Sequence, residues 1–303
     1  MAGHWADLYS FVTGAIRQKD LAYLVLSDDK ANQKKIPLAG VVQWEPDGWG
    51  DGGQVGWRAA GAAITKHPQE QLIVVGEFGG ALLLGGGDRH EETIESGDSK
   101  PEDRGPLRGV RRIGENVYVV GMDRQVYRRD GVNAWSSYDT GIPRDRDPKK
   151  ISGFEALDGF SEKDIYAVGW DGEIWNCVDG NWQQQTSPVG QVLLDVCCGG
   201  DGFVYACARN GLLVRGKHGQ WEALELGQFS ESLWSLAWFK ERLYAASMDT
   251  VFVLDDDDRL APVYMGNDSA KTCYDLITGD GVMWSVGAKD VMSFDGQHWI
   301  RID

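Results

Sequence analysis

Five histidines, His4, His67, His90, His218 and His298, are the first places to look for chemistry. Imidazole serves both as a metal ligand and as a general base. No two of the five have metal-ligand spacing. His90-Glu91-Glu92 is not the H-E-x-x-H of a zinc helix, because no second histidine follows. His218 and His298 each stand beside a Gly-x-Trp corner and read as turn residues. The run Asp255-Asp256-Asp257-Asp258 could hold Ca²⁺, but it lacks the alternating spacing that aims oxygens at one point. It reads as a solvated loop between strands. Gly85-Gly86-Gly87 has no Lys-Ser or Lys-Thr after it and is no P-loop. No G-x-S-x-G elbow occurs. The residues therefore predict no catalytic constellation, no metal and no cofactor.

The elements that position these residues repeat. IYAVGWDGEIW at 165–175, VYACARNGLLV at 204–214, LYAASMDTVFV at 243–253 and MWSVGAKDVMS at 283–293 are copies of one unit. VYVVGMDRQVY at 117–127 and LIVVGEFGGAL at 72–82 are further copies, and AYLVLSDD at 22–29 is a weaker one. Aligned on Leu26, Gly76, Gly121, Gly169, Ala208, Ser247 and Gly287, they are spaced 50, 45, 48, 39, 39 and 40 residues apart. A period near 40 that holds several short strands is the spacing of propeller blades.

Within each copy an apolar run meets a turn and a second run follows. Two places after the anchor stand Asp28, Phe78, Asp123, Asp171, Asn210, Asp249 and Lys289. Asp171-Gly172 and Asn210-Gly211 suit a two-residue hairpin, whose central positions both need positive φ. Carboxylates recurring here follow from turn geometry, so a glycosidase pair is not needed to explain them. Trp182, Trp221, Trp299 and Trp135 mark a fourth strand, and Trp44 is expected to do so in the first copy. Inner strands are expected at 110–113, 192–198, 233–239 and 273–277. The fold class is all-β: one propeller domain over 1–303, with seven blades of four antiparallel strands. Six blades with an N-terminal extension is the alternative.

The chain has 303 residues and a formal charge of −16. An acidic surface repels nucleic acid and anionic membrane and favours a basic partner. No apolar stretch has the length of a transmembrane helix, and the first residues carry no secretory signal pattern. The five cysteines are odd in number and form no C-x-x-C. They fit a reduced, cytoplasmic chain.

The motif IYAVGWDGEIWNCVDGNW resembles the bacterial propeller repeats grouped as Kelch-like, sialidase-like or photosystem-assembly-factor-like. The resemblance is good over 165–303 and loose over 57–142. The Gly-His and Trp-Asp pairs of WD repeats are absent, as is the sialidase Asp-box. The run IYAVGWDGEIW…LLDVCCGGDGFVYACARNGLLVRG is similar to propeller immunity proteins found beside polymorphic and type VI secretion nuclease toxins. This resemblance implies an immunity protein that neutralises a cognate toxin; together with the charge and the cysteines it gives a cytoplasmic antitoxin that binds a basic toxin or effector domain, with no direct nucleic-acid or membrane contact. A glycan hydrolase or lyase and an assembly scaffold are the alternatives.

A partner is expected to meet large or charged side chains at the turns: Phe78, Met122, Asp123, Trp170, Asp171, Met248 and Asp249. Two irregular stretches add to them. Residues 45–57 carry Trp49 in a Gly-rich setting. Residues 87–105 form an acidic insertion that carries Glu91, Glu92 and Glu95.

Overall fold

The computed structural model describes residues 5–95, 100–144 and 150–303. Each blade is a four-stranded antiparallel sheet drawn from one continuous stretch of chain. Blade 1 comprises the strands Tyr9–Gln18, Leu21–Asp28, Ala39–Glu45 and Gly48–Val55. Blades 2 to 7 follow at 59–93, 107–137, 154–185, 193–223, 235–262 and 275–301. The first strands of neighbouring blades touch all the way round, including blade 7 against blade 1, so the seven sheets close a ring.

The repeated motif explains the blade. Ile165, Tyr166, Ala167 and Val168 form the second strand of blade 4 and are wholly buried. A continuous apolar run of this kind is a strand covered on both faces. The turn after it bends through Asp171 at φ 56° and Gly172 at φ 69°. Blade 5 repeats this with Asn210 at 60° and Gly211 at 71°. Trp135, Trp182, Trp221 and Trp299 lie on fourth strands as expected. Trp44 does not: it sits on the third strand of blade 1, paired with Trp49 on the fourth. The cause is the connection 29–38, where the short helix Asp29–Gln33 replaces a tight turn and delays the third strand. The stretch 45–57 is thus mostly a strand, and Trp49 packs on Phe11 with ring centres 6.4 Å apart.

Seven apolar clusters hold the ring, one at each junction between adjacent blades. Blade 7 meets blade 1 without exchanging a strand. Their junction buries Phe11, Leu24, Trp284 and Val286. Polar contacts fasten the same junction. Lys289 Nζ donates to the carbonyls of Ala6 and Tyr9 at 2.9 and 2.7 Å and to Asp29 at 2.6 Å. The Tyr274 hydroxyl donates to the carbonyls of Phe11 and Val12.

Candidate functional site

Strand order divides the ring into two faces. Turns after first and third strands emerge on one side, and connections after second and fourth strands on the other. The fourteen turns of the first side are narrow, two to five residues each. The connections of the second side are wide loops of three to sixteen residues. The narrow turns hold 14 acidic and 5 basic residues. The described residues of the wide loops hold 14 acidic and 12 basic. The acidity of the chain therefore sits mainly on the narrow-turn face.

Several charges on the wide-loop face bind one another. Arg104 donates to Asp123 at 3.1 Å and also pairs with Asp139. Arg124 lies buried against Glu173, with Nε 2.6 Å from the carboxylate, and donates to the Pro143 carbonyl at 2.9 Å. The Trp175 indole donates to the same carboxylate at 3.0 Å.

Between the faces runs a channel lined by first strands, with a cavity of about 650 Å³. Its side chains lace blade to blade. Asp158 accepts the Cys198 amide at 2.8 Å, Asp195 accepts the Leu236 amide at 2.7 Å, and the Ser235 hydroxyl accepts the Leu276 amide at 3.1 Å. Arg111 lies 3.7 Å from Asp158 and 3.9 Å from Asp195. Burial works against the Arg111 charge, but these two carboxylates outweigh it and hold its pKa above the ordinary value. Burial pushes Asp195 up to about 6, against the pull of Arg111 and two amide donors. Burial also raises Cys197 and Cys198, which keeps both thiols protonated and poorly nucleophilic. Asp158 and Asp195 thus have a structural task in joining the blades.

The chain is 40% identical over 302 residues to the immune protein Tsi7 of Pseudomonas aeruginosa, covering 98% of each chain. It belongs to the Tsi7 immune-protein family. No protein-family model matches it. The Tsi7-type ring resembles the WD40 β-propeller domain of Doa1, with a TM-score of 0.67 and 12% identity over 97% of this chain and 93% of that one. It also resembles YCF48 bound to D1 peptide, at 0.57 and 19% over 79% and 80%. At these identities the likeness concerns the fold alone.

In this family member the sequence-predicted contact residues do not form one patch. Phe78, Met122, Asp123, Trp170, Asp171, Met248, Asp249 and Glu95 lie on the wide-loop face. Several are already engaged there: the Trp170 indole donates to Glu155 at 2.7 Å, and Asp123 is tied to Arg104. Phe78 and Met248 stand half exposed. Trp49 lies toward the opposite face, in the apolar junction of blades 7 and 1.

The acidic stretch 87–105 divides. Asp88–Thr93 is the outer strand of blade 2, carrying exposed Glu91, and Pro101–Arg104 is a single helical turn. Asp98 lies outside the described residues, as does His4. Glu92 is removed from the contact set, because it is 3% exposed and clamped by Arg129 at 2.7 and 2.9 Å. The Trp135 indole and the Asn133 amide donate to it as well. Burial opposes its charge, but these donors outweigh that and lower its pKa. Sequence reasoning also missed Phe160, Val178 and Phe203, exposed apolar side chains on the narrow-turn face of blades 4 and 5. The legible signal was their place beside Ser161, Asp179 and Gly202, where polar turn residues dominate.

Proposed function

We propose that the chain is an immunity protein that neutralises a cognate protein toxin by binding and covering it. The observation that carries this is the relationship to an immune protein along the whole length of both chains. In this reading the propeller inhibits by occlusion and performs no chemistry of its own. The ties of Asp158 and Asp195 to the next blade fit that role. We propose further that the toxin is a basic nuclease met in the cytoplasm. The charge of −16 supports a basic partner and opposes direct binding to nucleic acid. No helix among the described residues is long and apolar enough to cross a membrane. The repeat alone offers Phe78, Met122, Asp123, Trp170, Asp171, Met248 and Asp249 on the wide-loop face as the contact set for such a toxin, with Glu91 and Glu95 at the edge of blade 2, and the exposed side chains of the opposite face compete with it.

The test is co-expression in a sensitive host with the protein encoded beside this gene. The expected result is that the neighbour arrests growth alone, that this chain restores it, and that the two co-elute as one complex. A toxic neighbour that is neither relieved nor bound would overturn the proposal.

A further inference from the structure

Eleven large apolar side chains are exposed among the described residues, and the two faces present them differently. On the wide-loop face they are dispersed around the rim, at Leu8 and Ile36 near blade 1, Phe78 on blade 2, Ile151 before blade 4, Met248 on blade 6 and Tyr264 after it. On the narrow-turn face Val132 stands in a turn of blade 3, and Phe160, Val178 and Phe203 gather on the adjoining blades 4 and 5; Ile300 lies on the outer strand of blade 7. Two cation–ring contacts join part of this into a strip. Lys217 Nζ lies 3.9 Å above the Phe160 ring, and Arg215, two residues along the same strand, lies 5.5 Å above the Phe203 ring. Both cations are held down by acids: Arg215 by Glu222 at 2.8 Å and Asp258 at 2.7 Å, Lys217 by Asp164 at 3.8 Å.

Exposed carboxylates border the strip. Asp179 follows Val178, Asp201 precedes Phe203, and Asp255 to Asp257 continue the border onto blade 6. An apolar centre with a charged rim is the anatomy of a protein–protein interface. The excess of 14 acidic over 5 basic residues on this face states what covers it. The complementary surface has an apolar centre and a basic rim.

We infer that the toxin docks on the narrow-turn face of blades 4 to 6, with Phe160 and Phe203 at the centre of the contact and Asp179, Asp256 and Asp257 on its acidic rim. This rests on the proposed immunity role and commits it to a face. The wide-loop face then stays in solvent, its charges occupied in holding loops together.

The experiment measures association and dissociation rates of the purified neighbouring-gene product on the full chain, over a salt series. Three variants are compared with wild type: Phe160→Ser with Phe203→Ser, Asp179→Asn with Asp256→Lys and Asp257→Lys, and Phe78→Ser with Met248→Ser. Melting temperatures within a few degrees of wild type establish that each variant is folded. The first variant is expected to dissociate at least ~10-fold faster. The second is expected to associate at least ~10-fold more slowly at low salt, with a weaker salt dependence. The third is expected to stay within about 2-fold. Loss of binding in the third variant alone, or wild-type rates in the first two, would overturn the face while leaving the immunity role intact. A wild-type chain that does not bind the neighbour at all would overturn the role itself, and the docking face with it.

Discussion

Among the described residues, the two faces of this ring carry the same number of acidic residues in their connections and use them differently. On the wide-loop face, 14 acids stand with 12 bases in the described loops, and they pair across long stretches of chain. Arg104 joins residues 19 and 35 positions away, and Arg124 reaches 49 positions to Glu173. On the narrow-turn face, 14 acids stand with 5 bases, so the acids outnumber the bases available to pair with them. Ion pairs between connections offset part of the conformational entropy lost when those connections are ordered. Charge that holds loops is structural; the excess of acids over bases on the narrow turns is left for solvent and any partner, although Asp255 and Asp258 there also serve the fold. Net charge alone conceals this difference.

The largest break in the comparison comes from the buried pair on the wide-loop face. Arg124→Met leaves the Glu173 carboxylate buried with the Trp175 indole but without its cation. Stability is expected to fall by about 3–5 kcal/mol, read as a shift in the urea midpoint. The double variant with Glu173→Met is expected to recover most of the loss. A single variant as stable as wild type would show that this pair does not hold the loops.

The channel between the faces gives the next effect, and its sign can be worked out. Burial pushes Asp195 up to about 6 from an ordinary value of 3.8, so the folded protein holds this proton more tightly than the unfolded chain. Its contribution to stability is complete below about pH 4 and lost as the pH rises through 6. The shift corresponds to ~3 kcal/mol at most. Asp195→Asn should flatten the stability profile between pH 4 and 7 while leaving its other features in place. An unchanged slope would remove Asp195 from the pH response.

Ring closure gives a smaller effect. Lys289 occupies the turn place where five of the seven copies have Asp or Asn, and it joins the last blade to the first through three oxygens. Lys289→Met should lower stability by about 1–2 kcal/mol, because the ammonium is partly exposed and the apolar junction remains. Amide exchange should quicken first in the strands Tyr9–Gln18 and Asp275–Gly279. Exchange that quickens evenly around the ring would mean that Lys289 is no special fastening.

Much of this was legible because the repeat is a local signal. The pair Asp171-Gly172 announces a hairpin, and the buried run before it announces a strand, without knowledge of any distant residue. Trp44 was misplaced for the same reason: the helix 29–33 interrupts the local grammar, and spacing alone does not reveal it. Glu92 looked like one acid of an exposed acidic stretch, because Arg129 lies 37 residues away on the next blade. Such a pair is invisible until the ring is closed. The division of charge between faces was in principle readable from strand order, since alternate connections share a side. Phe160 was not readable in that way, because its exposure depends on how far the strand Phe154–Ser161 runs past its neighbours.

The smallest expected effect sharpens the comparison most. Asp256 and Asp257 lie in a turn whose shape is set by Asp255, which accepts the amides of Asp257 and Arg259 at 3.0 and 2.8 Å. Asp258 belongs to the Arg215 pair. Asp256 has no such task, and Asp257 meets only Arg259, at 3.8 Å on an exposed surface. Asp256→Asn with Asp257→Asn should therefore change stability by no more than about 0.5 kcal/mol, whereas Asp255→Asn should cost more by weakening the turn. Urea titrations of the two variants side by side check this. If the neutralised pair proves clearly more stable than wild type, these carboxylates repel one another at a measurable cost, and the acidic face is kept for binding rather than for the fold. If it proves clearly less stable, the turn needs those charges and the contrast between the faces weakens.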